Sequence, residues 1–315
     1  MSGLLIWAVV FLFSLATLIF AADFFIKASE NLGIHLGIPA FIVGVTLVAI
    51  GTSLPELVTS ALAVAEGVPD LVLGNVVGSN IANLCLVLGT MGIIAKRIEL
   101  NFNIMKVDLP MMMGATLLLI AFVWNGVFSK IEAIIFLLAI LGYLAIIFIQ
   151  NKPKNLKEDE NQEDVPPFNW SQPLVLVISG VFIYFSAKWN VESIKNLAEI
   201  LSIGTEYIAQ TAVAFGTSLP ELVVSIMALR NNNADIAVGN ILGSNIFNIF
   251  AVMGLPRLMG LVTVPESMLS TAIPVLLVVS IVAFFIFKDK IIKAWEGWIL
   301  ILIYAMYVGS LVLVP

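Results

Sequence analysis

Residues 51–57 read Gly51-Thr52-Ser53-Leu54-Pro55-Glu56-Leu57, and the same seven letters return as Gly216-Thr217-Ser218-Leu219-Pro220-Glu221-Leu222. Both copies lie inside long apolar runs, so each sets a carboxylate, two hydroxyls and a helix-breaking proline at membrane depth. An ionisable side chain there is costly and marks a functional site by default. A second motif repeats with the first. Gly74-Asn75-Val76-Val77-Gly78-Ser79-Asn80-Ile81-Ala82-Asn83 is answered by Gly239-Asn240-Ile241-Leu242-Gly243-Ser244-Asn245-Ile246-Phe247-Asn248. Glu56 to Glu221 and Asn83 to Asn248 are both steps of 165 residues. Two motifs in constant register mean internal duplication, which fixes the architecture before any single helix does.

The surrounding composition agrees. Of 315 residues 60% are hydrophobic and only 11% charged, with mean hydropathy +1.07. A soluble chain of this length needs a far more polar surface. No basic patch suggests a nucleic-acid partner. Cys85 is the only cysteine, which excludes an internal disulfide and leaves it to pack as a small apolar residue. His35 is the only histidine, so a histidine-cluster metal site or proton relay is excluded. The run from Leu4 to Phe25 lacks the basic lead of a signal peptide, and about 20 apolar residues suffice to cross a bilayer. It reads as a retained first helix.

The fold expected is an all-α polytopic membrane protein with ten transmembrane helices in two inverted-topology five-helix repeats. The spans fall near 4–26, 38–65, 70–95, 106–125, 130–150, 171–189, 204–229, 234–258, 268–287 and 294–313. Residues 1–150 form the first repeat and 170–315 the second. Between them, 151–169 carries Lys152, Lys154, Lys157, Glu158, Asp159 and Glu160 and ends near Pro166-Pro167, a solvated linker. With the N-terminus outside, eleven Lys and Arg fall on inner loops, and four (Lys130, Lys188, Lys195 and Arg257) on outer ones. The positive-inside rule therefore predicts a multi-pass cell-membrane protein with both termini outside and the linker cytoplasmic. Five spans separate the second helix from the seventh, and an odd number inverts the motif. Inverted repeats that hold substrate at their midplane are a transporter architecture, whereas channels usually build pores on rotational symmetry between subunits.

The chemistry follows from the residue types. Pro55 and Pro220 have no N–H and clash with the carbonyl four residues back, so each helix bends or breaks near Gly51–Thr52 and Gly216–Thr217 and frees carbonyl oxygens. Such backbone is tolerated at this depth only where protein, water or a ligand satisfies it. Thr52 and Glu56, four apart, share a helix face. Asn75, Ser79 and Asn83 form a polar stripe on the next helix, repeated as Asn240, Ser244 and Asn248. Gly74/Gly78 and Gly239/Gly243 allow close helix approach. Carboxylate, carbonyl, hydroxyl and amide oxygens, with no sulfur or imidazole nearby, suit a hard cation and argue against zinc, copper or iron. Elsewhere, Asp23, Asp108 and Glu296 are expected to face water or snorkel. Met111, Met112 and Met113 are expected to face lipid or pack, and Gln210 has no assigned role.

At these residues the chain resembles the sodium/calcium exchangers of the calcium/cation antiporter superfamily, and is similar to their short prokaryotic members. That family carries two inverted repeats with G-T-S-[LIV]-P-E and G-S-N-[IV]-x-[ND], both present here in full. The resemblance implies Na⁺/Ca²⁺ antiport by alternating access, with ions as cargo, no cofactor and no enzymatic activity. Glu56 and Glu221, with the backbone carbonyls of Thr52 and Thr217, would hold Ca²⁺. Sodium sites would add Ser79, Ser244, Asn83 and the carbonyls of Ala49 and Ala214. Asn248 stands where some relatives carry an aspartate associated with potassium co-transport, which argues against a potassium requirement. It also leaves two acids in the core, so Ca²⁺ is neutralised while a full sodium load carries positive charge, and the cycle would be electrogenic. Proton/calcium exchange and potassium-dependent exchange are the alternatives. The first is disfavoured because Asn83 and Asn248 cannot carry protons.

Overall fold

The computed structural model of the chain describes residues 2–67, 69–150, 170–200 and 218–313. Its helices are α1 (Ser2–His35), α2 (Ala40–Ala65), α3 (Asp70–Ala95), α4 (Asp108–Val123), α5 (Lys130–Gln150), α6 (Ser171–Ile200), α7 (Leu219–Arg230), α8 (Ala234–Met259), α9 (Glu266–Lys288) and α10 (Ala294–Leu313). Among the described residues eight of these are long and apolar enough to cross a membrane; α4 is apolar but shorter. The expected linker, Gln210 and the first half of the expected seventh span lie outside the described residues.

Burial sorts the helices into two layers. In α8, 94% of the most apolar 18-residue window is buried, against 17% in α1. The hairpins α2–α3 and α7–α8 therefore form the centre, and α1, α5, α6 and α10 turn much of their apolar surface outward. This inverts the soluble pattern, because lipid solvates leucine and the polar residues collect inside. α1 and α6 pack along their lengths, tied by Asn190 Nδ2 donating to Ser14 Oγ (3.2 Å) and to the Phe11 carbonyl (3.3 Å).

α1 runs well past the expected end near residue 26. Lys27, Glu30 and Asn31 are polar but good enough helix formers, and nothing interrupts the helix until Gly37, at φ 64°, and Pro39. The all-helical expectation also omitted one small element. Strands β1 (Arg97–Glu99) and β2 (Ile291–Lys293) pair antiparallel and join the α3–α4 loop to the α9–α10 turn.

The expectation that Asp108 and Glu296 face water is corrected. Asp108 is 2% exposed, and its Oδ1 accepts the Tyr143 hydroxyl at 2.9 Å, a donor supplied by α5. Glu296 is also buried. Its Oε2 accepts the Lys293 N–H at 2.7 Å and so satisfies a free amide just before α10. Asp23 is partly exposed and bonds Lys27 (2.7 Å) and Asn231 (3.1 Å). Met112 lies in the core while Met111 and Met113 are half-buried, and Cys85 is fully buried among apolar side chains.

Candidate functional site

The site starts from a broken helix and its counterpart in the second copy. Ser53 interrupts α2 at φ −89°, ψ 3°, and Ser218, at φ −91°, ψ 5°, stands just before α7. Each is followed by a fresh helix with proline in its first turn, the place proline tolerates best. Glu56 and Glu221 thus sit in the first turns of new helix segments, beside unbonded N–H groups that favour negative charge. Gly51 is needed at the break: a Cβ there would lie 2.6 Å from the ring of Phe25, so α1 packs directly on the bend.

The partner helices carry a second irregularity. A π-helical turn covers Asn83–Val87 in α3 and Asn248–Val252 in α8, again 165 residues apart, and α2 has one at Gly44–Val48. Single π turns inside α-helices are frequent at functional sites, because they re-aim side chains and loosen the hydrogen-bond ladder. Here each of the two begins on the asparagine singled out from the sequence.

The hairpins are built alike. Asn75 Nδ2 donates to the Glu56 carbonyl (3.0 Å) and Ser60 Oγ (2.9 Å); Asn240 Nδ2 donates to Ser225 Oγ (3.0 Å). α2 and α8 then cross closely through glycine. A Cβ on Gly239 would lie 2.5 Å from the Phe41 carbonyl, and one on Gly243 would strike the Val45 carbonyl and lie 2.6 Å from the Ala49 Cβ. The approaches climb together, Ile236 on Gly44 and Gly243 on Ala49, so α2 and α8 run in the same direction.

This crossing interleaves the two copies. Thr52 Oγ1 donates to Asn240 Oδ1 (3.0 Å) and lies 3.4 Å from Ser244 Oγ. Ser53 Oγ donates to Glu221 Oε1 at 3.3 Å. Glu56, Glu221, Thr52, Ser79, Ser244, Asn83, Asn248 and Ala49 are all buried, at most 1% exposed. Thr217 and Ala214 lie outside the described residues. The Ala49 carbonyl accepts the Ser53 N–H (3.0 Å) and lies 3.3 Å from the Thr52 hydroxyl, whose single proton Asn240 Oδ1 also takes, so a lone pair on it is open to a ligand when that proton goes to Asn240. The carbonyl that proline frees in this helix is that of Gly51, four residues before Pro55.

The electrostatics are one-sided. Both Glu56 oxygens and Glu221 Oε2 are buried with no donor among the described residues. So are both side-chain polar atoms of Asn83 and of Asn248, and Ser218 Oγ. Removing an ionised carboxylate from water costs several kcal/mol unless paired and hydrogen-bonded. No lysine or arginine among the described residues is paired with either glutamate, and the buried Arg257 is spent on the Phe128 and Gly260 carbonyls. A cation from solution can supply the missing charge. Two carboxylates surrounded by neutral oxygens fit one divalent or a few monovalent hard cations.

Sequence reasoning did not assign Ser53, Ser60, Ser225 or Asn80 to the site. Ser60 and Ser225 obey the same 165-residue step and lie four residues beyond the glutamates, a signal that was available. Ser53 is in the motif itself, but its contact with the other copy is a tertiary fact. Asn80 is fully buried with neither side-chain polar atom bonded among the described residues.

The sequence model of the family described as Sodium/calcium exchanger protein matches residues 6–149 and 171–313, nearly the whole chain. This chain belongs to the sodium/calcium exchanger family. Among relatives, it is 32% identical to Sodium/calcium exchanger MaX1 of Methanosarcina acetivorans, over 95% of this chain and 96% of that one. It is 33% identical to Uncharacterized membrane protein MJ0091 of Methanocaldococcus jannaschii, over 96% of each. The fold of this exchanger family member superposes on the solved sodium-calcium exchanger NCX_Mj soaked with Na⁺ and Ca²⁺ with a TM-score of 0.83 and 30% identity, covering 97% of this chain and 98% of that one. The family is one of transporters.

Proposed function

We propose that this chain exchanges Na⁺ for Ca²⁺ across the cell membrane by alternating access. The observation that carries the reading is the pair of fully buried carboxylates, Glu56 and Glu221, with three of four oxygens lacking a donor among the described residues. Membership of the family and the likeness to MaX1 and NCX_Mj support the choice of ions. Glu56 and Glu221, with the Thr52 and Thr217 carbonyls, take Ca²⁺. Ser79, Ser244, Asn83, Asn248 and the Ala49 and Ala214 carbonyls complete sodium sites around them.

Ten spans in two inverted five-helix repeats are part of this proposal. The parallel run of α2 and α8, each hairpinned antiparallel to α3 and α7, supports opposite orientations of the two copies. Inversion gives alternating access directly, because exchanging the conformations of the two repeats moves the opening from one side to the other. Both termini are placed outside and the linker 151–169 inside. Asn248 adds no third charge, so the Ca²⁺-loaded core is about neutral, and with the three Na⁺ per Ca²⁺ that the resemblance implies the Na⁺-loaded core is positive.

Ca²⁺ uptake into proteoliposomes preloaded with Na⁺, with K⁺, or carrying only a proton gradient tests the reading. Uptake confined to the Na⁺-loaded vesicles is expected. Uptake driven by the proton gradient would favour proton/calcium exchange, and a need for K⁺ beside Na⁺ would favour potassium-dependent exchange.

A further inference from the structure

The β1–β2 ribbon brings together two loops nearly 200 residues apart and gathers five cations, Lys96, Arg97, Lys288, Lys290 and Lys293, against two exposed acids, Glu99 and Asp289. Arg97 and Lys293 are Cα partners across the ribbon. Ile98 and Ile292 point inward, so the residues on either side, Arg97 and Lys293 among them, share the outward face. Like charges directly opposite on one face repel. Lys96 and Lys290 flank the ribbon, because Ala294 N–H bonds the Lys96 carbonyl (3.0 Å) and Leu100 N–H bonds the Lys290 carbonyl (2.9 Å). Both lysines have positive φ, 60° and 57°. That conformation is unfavourable for a long side chain and tends to be kept where it serves a function.

The local acids neutralise only part of this cluster. Glu99 is taken by Arg97 at 2.7 Å, and Glu296 Oε2 is committed to the Lys293 N–H. Asp289 is exposed beside Lys288 in the same turn. Among the described residues Lys96, Lys288, Lys290 and Lys293 have no carboxylate at ion-pair distance. Immediately along the chain, α10 opens with Trp295 and Trp298, 58% and 57% exposed, and Phe285 of α9 is 61% exposed. Exposed tryptophan next to apolar helix marks the level of lipid headgroups. The cations therefore stand at the height of headgroup phosphates, on the side that the proposed orientation makes cytoplasmic.

We infer that the β1–β2 ribbon, with Lys96, Arg97, Lys290 and Lys293, is a binding site for the phosphate of an anionic phospholipid whose chains run down past Trp295 and Trp298. The anion draws in Lys96, Lys290 and Lys293, which have no carboxylate at ion-pair distance among the described residues, together with Arg97, and so clamps the α3–α4 loop to the α9–α10 turn. The leaflet rests on the orientation proposed above; the site itself does not, nor does it depend on which ions are carried.

The test is native mass spectrometry and thermal unfolding of the full chain in zwitterionic detergent, titrated with phosphatidylglycerol, phosphatidylcholine or inorganic phosphate. The wild type should retain a phosphatidylglycerol adduct and unfold at higher temperature with it, and do neither with phosphatidylcholine. Arg97→Gln/Lys293→Gln should lose both the adduct and the shift. Lys27→Gln/Arg230→Gln, which removes the same charge elsewhere on that side, should keep both. Equal loss in the two variants would overturn the proposal in favour of unspecific surface charge. An equal shift with inorganic phosphate would overturn the assignment to lipid. If Arg97→Gln/Lys293→Gln does not fold, the wild-type titration decides, because retention of phosphatidylcholine equal to phosphatidylglycerol also refutes the site.

Discussion

Ser53 of the first copy donates to Glu221 of the second at 3.3 Å, whereas the equivalent Ser218 hydroxyl and Glu56 carboxylate have no such bond among the described residues. The duplication is symmetric in sequence, but among the described residues its two copies are engaged unequally. Unequal engagement of equivalent parts is what an inverted-repeat transporter needs at either end of its cycle.

The first prediction follows from that bond. In ion-free detergent, Ser53→Ala should destabilise by about 1–3 kcal/mol, because it leaves Glu221 Oε1 buried without its donor. Ser218→Ala should cost less, since its hydroxyl bonds nothing described. Thermal unfolding of the two variants checks this, and equal losses would count against the asymmetry.

Glu56→Gln and Glu221→Gln should each abolish Ca²⁺ transport while leaving the fold intact. Glutamine keeps the shape and an oxygen but removes the charge that holds a dehydrated divalent ion. Losing a buried charge partner costs roughly 2–5 kcal/mol, which is tenfold or more in affinity. Isotope uptake by correctly folded protein is the measurement, and wild-type uptake by either variant would sink the site.

Asn83→Ala and Asn248→Ala should be milder, and should shift Na⁺ activation more than Ca²⁺ affinity. Each is a buried neutral amide at the start of a π turn, with no bonded partner among the described residues. Normal Na⁺ dependence in both would remove the amides from the sodium sites.

Gly243→Ala should disrupt the crossing of α2 and α8. Its Cβ would meet the backbone of Val45 and the Ala49 side chain, neither of which can swing away. Overpacking of this kind costs about 1–3 kcal/mol. Gly142→Ala, on the exposed face of α5 with nothing within 4 Å, is the control and should be neutral. Similar melting temperatures for the two would show that the close approach is not structural.

Much of the site was legible in the sequence for physical reasons. Proline must break a helix, so Pro55 announced the bend at Ser53, and the 165-residue step paired each group with its counterpart. The two-stranded ribbon was not legible, since β1 and β2 are three residues each and meet only through the fold. Nor was the burial of Asp108, because a carboxylate near a helix end reads as solvent-facing until its donor, Tyr143, is placed by a different helix. The freed carbonyl was expected in the right segment, yet the Ala49 carbonyl accepts the Ser53 N–H, since the break lies at Ser53 and the helix is intact before it.

Sodium-driven, charge-moving exchange is the central claim, and one measurement tests it most directly. Proteoliposomes are loaded with Na⁺, diluted into Ca²⁺, and the interior is clamped positive or negative with a potassium ionophore. With two acids in the core and three Na⁺ exchanged for each Ca²⁺, as proposed, Na⁺ leaving in exchange for Ca²⁺ carries net positive charge outward. About 2.3 kcal/mol accompanies each elementary charge moved through about 100 mV. A positive interior should therefore accelerate Ca²⁺ uptake, a negative one should slow it, and vesicles loaded with K⁺ alone should take up none. Uptake that ignores the clamp, or that proceeds without internal Na⁺, would contradict the account.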